Sequence, residues 1–108
     1  MTKRKPTTPG EILQEEYLSP LGLTQKELAD YIGYDVKVIN RLINGRTSVT
    51  ASLALKLAAT LHTSPEFWLN AQKAIDIYKA SKSLRTLNAP LLVLGRTSYS
   101  QVDYANLG

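Results

Sequence analysis

The chain has 108 residues, of which 13 are Lys or Arg, 9 are Asp or Glu and none is Cys. This length suits one small domain, and the lack of cysteine excludes disulfides, thiolate zinc sites and thiol catalysis. No apolar run reaches the roughly 18 residues that a membrane-spanning helix needs, and no signal peptide is evident, so we expect a cytoplasmic protein without a membrane partner.

The N-terminal segment and the first helix are marked by charge and by capping residues. Residues 1–8 carry three bases and no acid, which predicts a flexible basic arm. Thr8 then serves as an N-cap, with Glu11 completing a capping box. We expect this helix to end at Ser19, because Pro20 disfavours helical backbone in the preceding residue.

The second and third helices are predicted to be short and adjacent. Thr24 and Glu27 form a second capping box, and Gly33 supplies the left-handed residue that ends a helix. Asp35 caps a third helix, which ends at the Asn-Gly pair of residues 44–45. Two short helices joined by a turn that contains glycine are typical of a helix-turn-helix unit.

Two further helices and a tail complete the predicted chain. Thr50 caps a fourth helix and Ser64 a fifth, which gives a five-helix, all-α domain over residues 9–83. Residues 84–108 form a separate C-terminal tail. Its apolar run, Leu91–Leu94, is bracketed by proline and glycine and predicts a short strand.

The distribution of charge indicates which helix meets a polyanion. Residues 9–35 carry a net charge of −5, whereas residues 36–65 hold four bases and no acid. In a helix-turn-helix unit the second helix enters the major groove, and here that helix is the basic one. The residues predicted to contact base edges are Asp35, Val36, Lys37, Asn40 and Arg41. Those predicted to contact the DNA backbone are Gln25, Tyr34, Asn44 and Arg46.

The chemistry of the side chains on the third helix indicates their partners in double-stranded DNA. Lys37 and Arg41 either donate to guanine or remain solvated charges on a helix face. Asn40 has the donor and acceptor needed to pair with adenine. Val36 either contacts a thymine methyl group or lies at the edge of the core.

The fifth helix carries more apolar residues than one core stripe needs. The stripe at helical spacing is Phe67, Ala71, Ala74, Ile75 and Tyr78, and further apolar residues flank it. Either the tail or a second copy of the chain covers this surplus. We expect a homodimer whose contact includes Phe67, Trp68 and Ile75.

Several motifs resemble those of known DNA-binding proteins. Residues 24–46 resemble the phage-repressor-like class of helix-turn-helix domains. The chain is more specifically similar, over residues 9–80, to HigA-type antitoxins, also called virulence-associated protein I. The motifs that carry this likeness are Pro9-Gly10-Glu11-Ile12-Leu13, Glu15-Glu16, Pro20-Leu21-Gly22-Leu23, Ile39-Asn40-Arg41-Leu42 and Thr63-Ser64-Pro65-Glu66-Phe67-Trp68-Leu69.

The resemblance implies a dimer that represses its own operon at an inverted-repeat operator and sequesters a RelE-like, messenger-RNA-cleaving toxin. Asp35 stands where the family would have Ser or Thr, so it either accepts from a cytosine amino group or only caps the helix. The alternative function is a stand-alone transcriptional regulator without a toxin partner.

An enzyme is the function class with least support. The single histidine, His62, has no carboxylate or nucleophile at a motif spacing, and no phosphate-binding, nucleophile-elbow or zinc-peptidase motif is present. We therefore expect no catalytic residue, no metal and no cofactor.

Overall fold

The computed structural model describes residues 4–84, and within that range it contains five helices and no strand. Helix α1 covers residues 9–21 in three consecutive segments, and the other helices are α2 (Gln25–Ile32), α3 (Val36–Ile43), α4 (Ala51–Leu61) and α5 (Pro65–Ser83). The five-helix, all-α prediction is confirmed. None of the described helices is long and apolar enough to cross a membrane. The predicted strand at Leu91–Leu94 lies outside the described residues.

Each helix begins where the sequence predicts a cap. A side-chain oxygen of every capping residue accepts from a backbone N–H in the first turn, which satisfies a donor without a partner inside the helix. The five caps are Thr8, Thr24, Asp35, Thr50 and Ser64. Both predicted capping boxes are formed, with Glu11 and Glu27 as the returning carboxylates.

Contrary to the prediction, helix α1 does not end before Pro20. Its middle segment, Leu13–Leu18, is a π-helix, in which the N–H of Ser19 donates to the carbonyl of Gln14, five residues back. Pro20 has no N–H to donate, and its ring would crowd a carbonyl in ordinary α-helix geometry. The wider π turn accommodates this ring, so the helix continues to Gly22, whose φ is 67°.

The residues that end α2 and α4 adopt the left-handed conformation. Gly33 ends α2 with a φ of 78°, as predicted. His62 ends α4 with a φ of 57°, and it is the only residue other than glycine with positive φ in the described range. A side chain in this region is strained, because its Cβ approaches the following carbonyl.

The core lies between all five helices. Its large, fully buried side chains are Leu13, Leu18, Leu28, Ile39, Leu42, Leu53, Leu57, Trp68 and Ile75. On α5 the buried positions are Trp68 and Ile75, whereas Phe67 and Ala74, which the sequence analysis placed in the core stripe, are exposed.

The burial of Trp68 corrects the predicted dimer contact. Trp68 is 0% exposed and Ile75 is 2% exposed in the single chain, so neither side chain has a surface to offer a second copy. The indole Nε1 of Trp68 donates to the Thr63 hydroxyl at 2.7 Å, and its ring centroid lies 5.7 Å from that of Tyr17. Of the three residues predicted at the interface, Phe67 alone, at 38% exposed, retains an accessible surface.

The crossing of α1 over α3 depends on a glycine. A Cβ at Gly10 would lie 2.7 Å from Cα of Ile43 and 2.8 Å from the carbonyl carbon of Leu42. Backbone atoms cannot yield as a flexible side chain would. Gly10 therefore allows α1 to pack directly against the C-terminal end of α3.

Candidate nucleic-acid interface

The turn between α2 and α3 is held from outside by a lysine of α4. Nζ of Lys56 donates to the carbonyl of Ile32 at 2.9 Å and lies 5.8 Å from the centroid of the Tyr34 ring. Tyr34 is half-buried and packs against the core. Lys56, one of the four bases counted in the basic middle of the sequence, thus stabilises the helix-turn-helix geometry.

A depression of about 360 Å³ opens between the start of α2 and the exposed face of α3. Four of the five residues predicted to contact bases line it, together with one predicted to contact the DNA backbone: Val36, Lys37, Asn40, Arg41 and Gln25. Val36 is half-buried and also packs against the core, so it forms the apolar wall of the depression.

Asp35 is separate from this depression. Its carboxylate oxygen accepts from the backbone N–H of Lys37 at 2.8 Å, and it is not among the residues that line the cavity. The structure thus supports a capping role for Asp35.

Three amide side chains form a hydrogen-bonded chain, of which Gln25 and Asn40 line the depression and Asn44 lies at the C-terminal end of α3. Nδ2 of Asn40 donates to Oε1 of Gln25 at 3.1 Å. Nδ2 of Asn44 donates to the backbone carbonyl of Asn40 at 2.9 Å and lies 3.3 Å from Oδ1 of the same residue. We refer to Gln25, Asn40 and Asn44 as the amide chain. Sequence reasoning chose all three residues but missed their connection.

The loop that follows α3 is fixed at both ends. At its start, Gly45 has a φ of 71°, and the N–H of Arg46 donates to the carbonyl of Arg41 at 2.8 Å. At its end, the N–H of Val49 donates to Oε1 of Gln72 on α5 at 2.9 Å. Arg46 is exposed on this loop, close to the end of α3.

Sequence reasoning did not single out Lys5, which the structure places beside the end of α3. A second depression, of about 280 Å³, is lined by Lys5, Thr8, Glu11, Ile43, Asn44 and Gly45. The pKa of Glu11 is lowered, chiefly because the N–H of Thr8 donates to its carboxylate at 2.9 Å, with a smaller contribution from the charge of Lys5. The run of three bases in residues 1–8 was the sequence signal that could have identified Lys5.

The groups at this surface are suited to binding rather than to chemistry. Lysine and arginine donate hydrogen bonds and carry positive charge, which fits the phosphates and base acceptors of DNA. Over residues 4–84, no group of three His, Cys, Asp or Glu side chains is placed to hold a metal ion.

Comparisons with known proteins agree with this geometry. Residues 13–68 match the helix-turn-helix family. The chain is 48% identical to antitoxin HigA-1 of Vibrio cholerae over 77 residues, which cover 71% of this chain and 72% of that protein. It is 42% identical to the HTH-type transcriptional regulator YbaQ of Escherichia coli over 83 residues, which cover 77% and 74%.

A solved structure shows the same fold in a related protein. The Pseudomonas aeruginosa antitoxin HigA, determined with the higBA promoter, superposes with a TM-score of 0.74 at 27% identity, covering 81% of this chain and 99% of that one. The predicted resemblance to HigA-type antitoxins is thereby confirmed, as is the prediction that the chain is not an enzyme. The chain belongs to the helix-turn-helix family of DNA-binding proteins that includes the HigA antitoxins.

Proposed function

We propose that the protein is a sequence-specific repressor that binds an inverted repeat in its own promoter. The observation that carries this proposal is the depression on α3, where Lys37 and Arg41 are exposed beside the apolar wall of Val36. The related HigA of Pseudomonas aeruginosa, whose structure was determined with the higBA promoter, supports binding to promoter DNA.

The residues of this surface divide into base-reading and backbone-contacting groups. Lys37 and Arg41 read base edges from within the depression. Arg46, on the following loop, and Lys5, beside the end of α3, contact phosphates. Arg41→Ala is expected to cost about 1 to 3 kcal/mol of specific binding and to relax one base preference.

The test compares Arg41→Ala with Arg46→Ala on operator and on random DNA by fluorescence anisotropy. Arg46→Ala is expected to weaken binding to both DNAs alike, because a phosphate contact carries no sequence information. Equal losses on both DNAs for both variants would refute the division of roles.

We further propose a homodimer that uses the exposed side of α5. At about 100° per residue, Phe67, Ala74 and Ile77 lie on one strip of this helix, roughly opposite the side that holds Trp68 and Ile75. Ile77 is 57% exposed, which leaves this strip unpaired in the single chain. Such a dimer would bind two half-sites whose centres lie about one helical turn, or a multiple of it, apart.

Sedimentation of a Phe67→Ala/Ile77→Ala double variant tests this dimer. The double variant is expected to shift toward monomer and to bind the operator more weakly. Leu55→Ala is the matched control, because Leu55 is 59% exposed on α4, away from the strip. A wild-type monomer at concentrations that saturate the operator would refute the dimer.

As a second part of its function, we propose that the protein neutralises a RelE-like toxin. The 48% identity to antitoxin HigA-1 supports this role, whereas the 42% identity to the regulator YbaQ supports the alternative of a stand-alone regulator. Inspection of the neighbouring open reading frame and co-expression of its product distinguish the two. Rescue of growth by this chain supports the antitoxin, and a neighbouring product that neither binds the chain nor arrests growth supports the stand-alone regulator.

Deletion of residues 84–108 separates the two activities. If the tail engages the toxin, its removal abolishes growth rescue while operator binding is kept. Loss of the dimer on the same deletion would instead assign the tail to self-association.

A further inference from the structure

A backbone carbonyl determines which way each amide of the amide chain is turned, that is, where its donor nitrogen and its acceptor oxygen lie. The carbonyl oxygen of Asn40 can only accept, so Asn44 must direct its amide nitrogen toward that oxygen. The same nitrogen then faces Oδ1 of Asn40 at 3.3 Å. This arrangement orients the Asn40 amide with its oxygen toward Asn44 and its nitrogen toward Gln25.

The direction continues to the start of α2. Nδ2 of Asn40 is a donor, so the group of Gln25 that meets it at 3.1 Å must be the oxygen, Oε1. Nε2 of Gln25, with its two hydrogens, has no hydrogen-bond acceptor among residues 4–84. The amide chain therefore ends in a donor at the depression on α3.

This direction removes Asn40 from the set of base readers. Pairing with adenine requires both Oδ1 and Nδ2 of an asparagine to face the base edge. In Asn40 the two atoms are directed to Asn44 and Gln25, along the protein surface. Binding adenine in this way would break both hydrogen bonds.

The charged groups at the depression and the free end of the amide chain are donors, whereas Oε1 of Gln25 already accepts from Asn40. Lysine and arginine side chains have no acceptor, and Nε2 of Gln25 adds two further hydrogens. In the major groove, guanine offers two acceptors and thymine offers one acceptor beside its methyl group. Adenine and cytosine each present an amino donor, which in adenine lies beside its single acceptor N7. Val36 supplies an apolar wall suited to such a methyl group.

We propose that the depression selects guanine and thymine over adenine and cytosine at the bases it contacts, with Asn40 as a positioning residue that fixes the donor end of Gln25. This inference rests on the proposed sequence-specific binding. It replaces the expectations that Asn40 pairs with adenine and that Gln25 contacts the DNA backbone.

The first experiment selects preferred sites for the full chain from a randomised DNA duplex library and then tests base analogues in the selected site. Because every base pair holds either a guanine or a thymine, the analogues decide which base of each selected pair is contacted, and we expect that base to be the guanine or the thymine. Replacing that guanine by 7-deazaguanine, which lacks the N7 acceptor, is expected to lower affinity at least about fivefold. Replacing that thymine by uracil, which lacks the methyl group, is expected to weaken binding by the wild type but not by Val36→Ala.

The second experiment reverses the direction of the amide chain. In Asn40→Asp, a carboxylate that only accepts would draw Nε2 of Gln25 toward it and turn Oε1 toward the DNA. The base preference at one position is then expected to shift from guanine or thymine toward adenine or cytosine. Asn40→Ala is the matched control, which releases Gln25 and is expected to lower affinity without a new preference. Circular dichroism checks that both variants are folded, as their exposed position predicts.

The possible outcomes separate this inference from the proposed function. Three results together would overturn the inference: the selection enriches an adenine, Asn40→Ala relaxes the preference for that adenine, and 7-deazaadenine at the same position weakens binding. An unchanged base preference in Asn40→Asp would overturn it as well. A pool without any enriched sequence would refute sequence-specific binding itself, and the inference with it.

Discussion

Gly10→Ala is expected to destabilise the fold by pushing α1 away from the end of α3. The added methyl would lie 2.7 Å from Cα of Ile43, whereas ordinary contacts begin near 3.4 Å, so the helices must separate by about 0.7 Å or more. Overpacking of this kind costs about 1 to 3 kcal/mol, and the helix propensity of alanine returns less than about 1 kcal/mol near a helix start. We expect a net loss of about 2 kcal/mol, which lowers Tm by roughly 10 °C.

Thermal unfolding followed by far-UV circular dichroism measures this loss. Gly22→Ala is the comparison variant, because no atom lies within 4 Å of its added methyl and only the positive φ of 67° is strained. Left-handed strain alone costs about 1 kcal/mol, so Gly10→Ala is expected to be the less stable of the two. A Gly10→Ala variant as stable as the wild type would refute the close packing of α1 on α3.

Three further perturbations test other parts of the fold. Trp68→Ala is expected to cost about 3 to 5 kcal/mol of folding free energy, because the side chain is fully buried; a folded variant that differs only in its oligomeric state would contradict this. His62→Gly is expected to add about 0.5 to 1 kcal/mol by relieving left-handed strain at a φ of 57°, and a lower Tm would argue against such strain. The lowered pKa of Glu11 means that its ionised form stabilises the fold above pH 4.5, the ordinary pKa of a glutamate, and that this stability is lost as the pH falls through the lowered pKa. Glu11→Gln retains a capping-box side chain that does not titrate, so its Tm is expected to fall less than that of the wild type on acidification; parallel curves would exclude the contribution.

The starts of the helices were predictable because capping is local. A hydroxyl or carboxylate and the N–H it binds lie within three residues of each other, so their sequence spacing is sufficient. The end of α1 was not predictable by the same rule. The π turn that accommodates Pro20 is a change of hydrogen-bond partner inside the helix, and no capping residue marks it.

The buried face of α5 was also not predicted correctly from the sequence. Phe67 and Trp68 are adjacent, and periodicity alone does not decide which of them enters the core. The choice is made by partners elsewhere in the chain, since the ring of Trp68 packs near Tyr17 and its nitrogen binds Thr63.

The candidate site was predictable as a set of residues but not as an arrangement. The second helix of the helix-turn-helix unit and its exposed positions follow from spacing, and four of its five proposed base readers line one depression. The hydrogen bond between Gln25 and Asn40 joins residues 15 positions apart. Only the packing of α2 against α3 brings these two side chains together.

The engagement of Lys56 with the helix-turn-helix turn bears on how binding responds to salt. Each phosphate neutralised by a protein cation releases condensed counterions. It contributes about −0.9 to the slope of the logarithm of affinity against the logarithm of salt concentration. Lys56 is occupied by the carbonyl of Ile32, whereas Lys5 and Arg46 are the proposed phosphate contacts. For a dimer, four such contacts correspond to a slope of roughly −4. Replacing Lys56 is thus expected to change stability while leaving that slope intact.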